Sequence, residues 1–139
     1  MSKYFCLLAG ILTIPAFFGF SPKLPQGSLK ASIARGEKVY TSVCISCHQA
    51  GGTGVPRMNP PLKGTSIVKG DKKVMIGVVL NGLKETDIDG ESYSNNMPAQ
   101  RQLSDADIAD VLTYVRNSFG NKATQVLPTE VAAARKNKT

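Results

Sequence analysis

Ile108, Val111, Leu112, Val115 and Phe119 recur every three or four residues and form one apolar face. Ser104 stands ahead of them as an N-cap, and Asp105 and Asp107 suit the positive end of a helix. Asn117 and Gly120 mark the exit. The pattern predicts a helix over residues 105–118. A shorter apolar run, KVMIGVVLN, predicts a helix over 73–81 that stops at Asn81-Gly82. A first helix is expected from Ser32 to Val43, with Ile33, Val39 and Tyr40 facing inward, and a last one over 128–136. Residues 49–73 and 84–102 are rich in Gly, Pro and polar residues and read as long loops. No strand pattern stands out. The expected fold is all-α, and loops of this length fit a compact domain only if they wrap something rigid.

The N-terminus follows a different pattern. Lys3 is followed by an uncharged run from Tyr4 to Phe20, which is the pattern of an export signal. At 17 residues (counted as Tyr4 to Phe20) it also sits at the short limit of a membrane span. Residues 1–21 therefore read as a cleaved signal or a retained anchor, with membrane attachment through 4–20. Cys6 lies inside the run without a convincing lipobox. Residues 22–31 read as a Pro/Gly linker, 32–120 as the folded domain and 121–139 as a C-terminal extension.

Composition adds two constraints. The chain of 139 residues has no Trp and only 6% aromatics, so its own side chains build a thin core. A large apolar prosthetic group would complete it. The net charge of +7 suits acidic partners or an anionic membrane surface. Nucleic acid is the poorer match, because no base-stacking aromatics interleave with the lysines.

Cys44-Ile45-Ser46-Cys47-His48 is a C-x-x-C-H sequence, the attachment pattern of a c-type haem. The spacing follows from the chemistry: two thiols add to the two vinyl groups at one edge of the ring, and the adjacent imidazole reaches the iron. A thioredoxin-like reading needs a βαβ context that is absent. A zinc site needs four ligands, and His48 is the only His while the third Cys lies in the leader. A plain Cys44–Cys47 disulfide would leave His48 incidental. With no second His, the other axial ligand is expected to be a Met thioether. Met97 is the candidate: it lies far enough from His48 to reach the opposite face, and Pro98 holds it extended. Met75 falls in the 73–81 helix and reads as core. Met58 is close to His48 in sequence, and an open sixth position is the remaining alternative.

Over residues 32–120 these features resemble the class I mono-haem cytochromes c. Gly36 and Tyr40 precede Cys44 at the spacing of that family's N-terminal helix, and Val111 and Tyr114 match its C-terminal partners. Asn59-Pro60-Pro61-Leu62-Lys63-Gly64 is similar to the family's Pro-x-Leu-x-Gly segment. The resemblance implies that the carbonyl of Pro60, with Pro61 as the alternative, accepts the Nδ1 proton of His48. Asn95-Asn96-Met97-Pro98 matches the Met-ligand loop. The tail NSFGNKATQVLPTEVAAARK resembles small bacterial cytochromes that accompany dehydrogenases, or that are fused to copper nitrite reductases and oxidases.

The expected function is one-electron carriage on a covalent haem c with His48/Met97 ligation, in a periplasmic chain or at the outer face of the cytoplasmic membrane. Partners would be a dehydrogenase, oxidase or reductase, with Lys38, Lys63, Lys69, Lys72 and Lys73 as a candidate basic rim for acidic surfaces. A catalytic or gas-sensing haem would require Met97 not to ligate. A bound subunit of a dehydrogenase would share the chemistry and differ in residence. No carboxylate pair, Ser-His-Asp set or phosphate loop marks the chain as an enzyme by itself.

Overall fold

The computed structural model describes residues 28–84 and 87–137. Its elements are α1 (Leu29–Val39), a π-helical turn (Tyr40–Cys44), α2 (Ile45–His48), α3 (Ser66–Lys69), α4 (Lys72–Asn81), α5 (Asp105–Arg116) and α6 (Pro128–Lys136). Among the described residues there are only isolated bridges and no strands, so the architecture is all-α. No described helix is long and apolar enough to cross a membrane. The leader expected over residues 1–21 lies outside the described residues.

The frame is the crossing of α1 and α5. A Cβ on Gly36 would overlap the carbonyl of Asp110 and crowd Tyr114, so glycine lets the two backbones meet. Asp110 locks the crossing, accepting from Ser32 Oγ at 2.6 Å and from Arg35 Nε and Nη2 at 2.5 and 2.9 Å. At the far end Tyr40, Tyr114 and Phe119 pack ring against ring, with centroids 5.3 to 5.6 Å apart. Aromatic packing of this kind adds to simple area burial.

α5 forms as its pattern predicts at the start, where Ser104 and Asp107 make a reciprocal capping box. Ile108, Val111, Leu112 and Val115 are all buried. The helix ends at Arg116, two residues earlier than expected. Phe119 is not on the helix but in the left-handed turn after it (φ 56°), from which it still reaches the aromatic cluster. α4 extends the expected 73–81 helix by one residue, and its Met75, Ile76, Val79 and Leu80 are buried.

α1 departs further from expectation. It starts at Leu29, inside the supposed linker, because Ser28 Oγ accepts from Ala31 N. Its buried positions are Ala31, Ser32 and Gly36, followed by Tyr40 at the start of the π turn, while Ile33 and Val39 are only partly buried. Hydrophobicity misplaces this face because small and hydrogen-bonded residues occupy the closest approach. α3 was not anticipated: four residues give too little periodicity to read.

α6 belongs to the packed body. Val131 and Val126 are fully buried, and Thr113 Oγ1 both donates to Val126 O (3.2 Å) and accepts from Val126 N (3.0 Å). Lys72 Nζ meets Glu130 at 2.5 Å and Gln125 O at 3.2 Å. Lys72 is therefore committed to holding α6, which removes it from the basic rim. Lys38, Lys63, Lys69 and Lys73 are exposed.

Candidate haem site

The C-x-x-C-H segment lies on one continuous helical path with α1, interrupted by the π turn Tyr40–Cys44. A π turn inserts one extra residue and rotates everything after it around the helix axis. Here that rotation carries Cys44, Cys47 and His48 to the wall of the internal cavity. The helix stops at once after His48. Gln49 takes a positive φ of 63°, and its carbonyl accepts from Tyr40 Oη at 2.6 Å and from Gly52 N at 3.0 Å. The reversed chain runs back past the imidazole, with Gly54 N donating to His48 O at 3.0 Å.

His48 Nδ1 lies 3.0 Å from the carbonyl of Pro60. A carbonyl only accepts, so Nδ1 carries the proton and the Nε2 lone pair is free to ligate. His48 is 8% exposed. Burial lowers its pKa, against the pull of the Pro60 bond, and keeps the ring neutral. Burial also pushes the Cys44 thiol up to about 11, with Cys47 adding to the effect. The segment holding Pro60 is itself pinned, because Leu62 N donates to Gly52 O at 2.8 Å and Asn121 bridges Leu62 O and Gly64 N.

Met97 reaches the same cavity from the other long loop. It pairs with Leu83 through two backbone hydrogen bonds of 3.0 and 2.9 Å. Gly82 (φ 77°) makes that pairing feasible, since a Cβ there would overlap the Met97 carbonyl. The two loops are also fastened to each other. Ser94 N donates to Arg57 O (2.9 Å), Asn95 N to Met58 O (3.0 Å), and Asn95 Nδ2 to Asn59 Oδ1 (3.1 Å).

The structure thus brings Cys44, Cys47, His48, Pro60 and Met97 to one cavity. Met75 also lines it, as a buried residue of α4, whereas Met58 is 46% exposed and does not line it. The space between the cavity walls is about 1140 Å³, open solvent at the mouth included. Val68, Val79, Ile88, Val111, Leu112 and Val115 form apolar walls, and among the described residues no Lys, Arg, Asp or Glu lines it. An apolar slot with two thiols, an imidazole presenting Nε2 and a thioether matches the chemistry of a covalently attached haem. Thr65, Ile88, Tyr93 and Asn95 also line it. Reasoning from sequence missed all four roles, because loop residues carry no periodic signal.

Comparison with known proteins shows the family. The sequence model of the cytochrome c family matches residues 33–119. Cytochrome c-552 of Thermus thermophilus is 35% identical over 68% of this chain and 67% of its own length. The cytochrome c subunit of quinone alcohol dehydrogenase from Gluconobacter oxydans is 34% identical over 63% of this chain, but only 19% of its own length. Cytochrome c6 of Cyanidium caldarium is 33% identical over 61% of this chain and 70% of its own. With the family match covering more than half of the sequence, the chain belongs to the cytochrome c family, as a class I mono-haem protein that transfers electrons on one covalently attached c-type haem.

Proposed function

We propose that Cys44 and Cys47 carry the haem through two thioether bonds, that His48 Nε2 and the Met97 sulfur ligate its iron, and that the chain serves as a one-electron carrier. The observation that carries this reading is the convergence of Cys44, Cys47, the oriented His48 ring and Met97 on one apolar cavity. When bound, the haem supplies a single iron that cycles between Fe(III) and Fe(II). The protein supplies orientation and surroundings. Pro60 O holds the imidazole proton and with it the direction and basicity of the ligating nitrogen. The valines and isoleucines of the wall exclude water and favour the less charged iron, as does a thioether ligand. The two loops hold that ligand in place in both oxidation states.

The electron donor or acceptor is a separate redox protein. Relatives that are subunits of quinone alcohol dehydrogenase and gluconate 2-dehydrogenase favour a dehydrogenase, with a terminal oxidase or reductase at the other end. Exposed Lys38, Lys63, Lys69 and Lys73 suit an acidic docking face. The catalytic step belongs to that partner, and the leader pattern over residues 1–21 supports an exchange outside the cytoplasm.

Met97→Ala tests the ligand set. The oxidised wild type should show the weak far-red charge-transfer band of a thioether on ferric haem, and the variant should lose it and bind carbon monoxide readily when reduced. Ready carbon monoxide binding by the reduced wild type would instead favour an open, ligand-sensing iron.

A further inference from the structure

A haem brings two carboxylates into whatever cavity receives it, and nothing in the sequence motifs says what meets them. The cavity wall narrows the choice. Among the described residues no Lys or Arg lines it. Its polar side chains, apart from the two thiols and His48, are Thr65, Tyr93, Asn95 and Gln100. Two of these are already committed. The Asn95 amide donates to Asn59 Oδ1 at 3.1 Å, and the Gln100 amide donates to Pro98 O at 3.2 Å.

The two hydroxyls are not committed. Thr65 is 7% exposed and stands at the N-cap of α3, yet its side chain makes no capping bond. Tyr93 is half-buried against the cavity, and among the described residues its phenol makes no hydrogen bond. Among the described residues no sealed side-chain oxygen or nitrogen lacks a partner, so these two hydroxyls open onto the cavity they line, and a group that fills it must pair them or bear the cost of leaving them unpaired in apolar surroundings. The backbone also brings the two segments together. Ser66 N donates to Asp89 Oδ2 at 3.0 Å, and Ile88 and Glu91 exchange backbone hydrogen bonds in the turn from which Tyr93 follows. Thr65 and Tyr93 therefore stand on neighbouring segments of one wall.

We propose that the hydroxyls of Thr65 and Tyr93 are the donors that hold the haem carboxylates, so that this protein seats them with neutral side chains. The proposal rests on the haem occupying this cavity through Cys44 and Cys47. Both residues are positioning groups: they fix how deep the ring sits and how its negative charge is shared. A hydrogen bond to an ionised carboxylate is stronger than a neutral one, so each hydroxyl finds in the carboxylate the partner the apoprotein lacks.

The test uses the holoprotein and the variants Thr65→Val, Thr65→Ser and Tyr93→Phe. The readouts are the carboxylate deformation bands in resonance Raman, the carboxylate carbon resonances of isotope-labelled haem, and the reduction potential. Thr65→Val and Tyr93→Phe should each displace the carboxylate signals and move the potential negative, because the anion's charge is then less shared. Thr65→Ser, which keeps the hydroxyl, should behave as the wild type. Carboxylate signals unchanged in both Thr65→Val and Tyr93→Phe would overturn the proposal. If Thr65→Val fails to accumulate as holoprotein, Tyr93→Phe decides alone, since it removes one oxygen from a half-exposed side chain. Extraction with acidified acetone distinguishes the two failures. Haem that extracts from the wild type sinks the attachment through Cys44 and Cys47 on which the proposal rests. Haem that stays bound while its carboxylates ignore both variants sinks only the role of Thr65 and Tyr93.

Discussion

Arg116 is 3% exposed, and its guanidinium is spent on the backbone. It donates to Val68 O at 2.7 Å, to Gly70 O at 3.0 Å and to Thr124 O at 2.9 Å. It thereby ties the end of α3 and the 117–127 segment to α5. Burial lowers its pKa, with Glu130 and Asp71 pulling the other way. Arg116→Met keeps the length and loses every donor, leaving three carbonyls without it. We expect a loss of about 3 kcal/mol in the stability of the holoprotein, read by urea denaturation, with partial recovery in Arg116→Lys. Nothing in the sequence distinguishes this Arg from the solvated cations around it. Its role depends on carbonyls up to 48 residues away.

Two elements carry their own tests. At the α1–α5 crossing, Gly36→Ala would drive a methyl into the Asp110 carbonyl. Backbone cannot rotate aside as a side chain can, so the helices must separate, at a cost of about 3 kcal/mol. Thermal unfolding of the holoprotein checks this. The second element is α6. Burial alone raises the Glu130 pKa, but the Lys72 ammonium and the Leu127 N–H together outweigh it, so its net shift is downward. A carboxylate whose pKa falls on folding stabilises the protein above its unfolded value, and that contribution disappears as pH falls through the folded value. Glu130→Gln should therefore lower Tm at neutral pH and flatten the loss of Tm below about pH 4.3. Parallel acid limbs in variant and wild type would contradict this. The helices were the most legible elements. α5 showed its face, caps and charges in the sequence, whereas α1 hid its buried face behind Ser32 and Gly36.

At the scale of the whole molecule, the cavity is closed by two loops that meet. The loop after His48 and the loop before Met97 are joined by backbone hydrogen bonds at 57–58 and 94–95 and by the Asn59–Asn95 pair. Asn95→Ala removes the side-chain tie and leaves the backbone ones. A net loss of about 1 kcal/mol should raise the affinity for exogenous imidazole competing with Met97 about fivefold, read by optical titration of the oxidised protein. An unchanged affinity would mean that the backbone bonds alone hold the loop.

Cys44, Cys47 and His48 were legible because their chemistry dictates a fixed spacing, which needs no folding to be read. Met97 stood out as the candidate ligand because the chain offers no second His and few methionines, and the structure sets it on the wall of the same cavity. The helices were legible wherever one face is apolar and the caps are polar. The tertiary structure decided what depends on residues far apart in sequence. It set the π turn that brings the motif to the cavity, the Pro60 carbonyl at hydrogen-bond distance from His48, the buried roles of Asp110 and Arg116, and the loss of Lys72 from the surface rim to α6. It also left Thr65 and Tyr93 on the wall with hydroxyls to spare. The physical reason is the range of the interactions. Periodicity and spacing are local and survive in the linear chain, whereas a hydrogen bond across a loop closure exists only once the closure has been made.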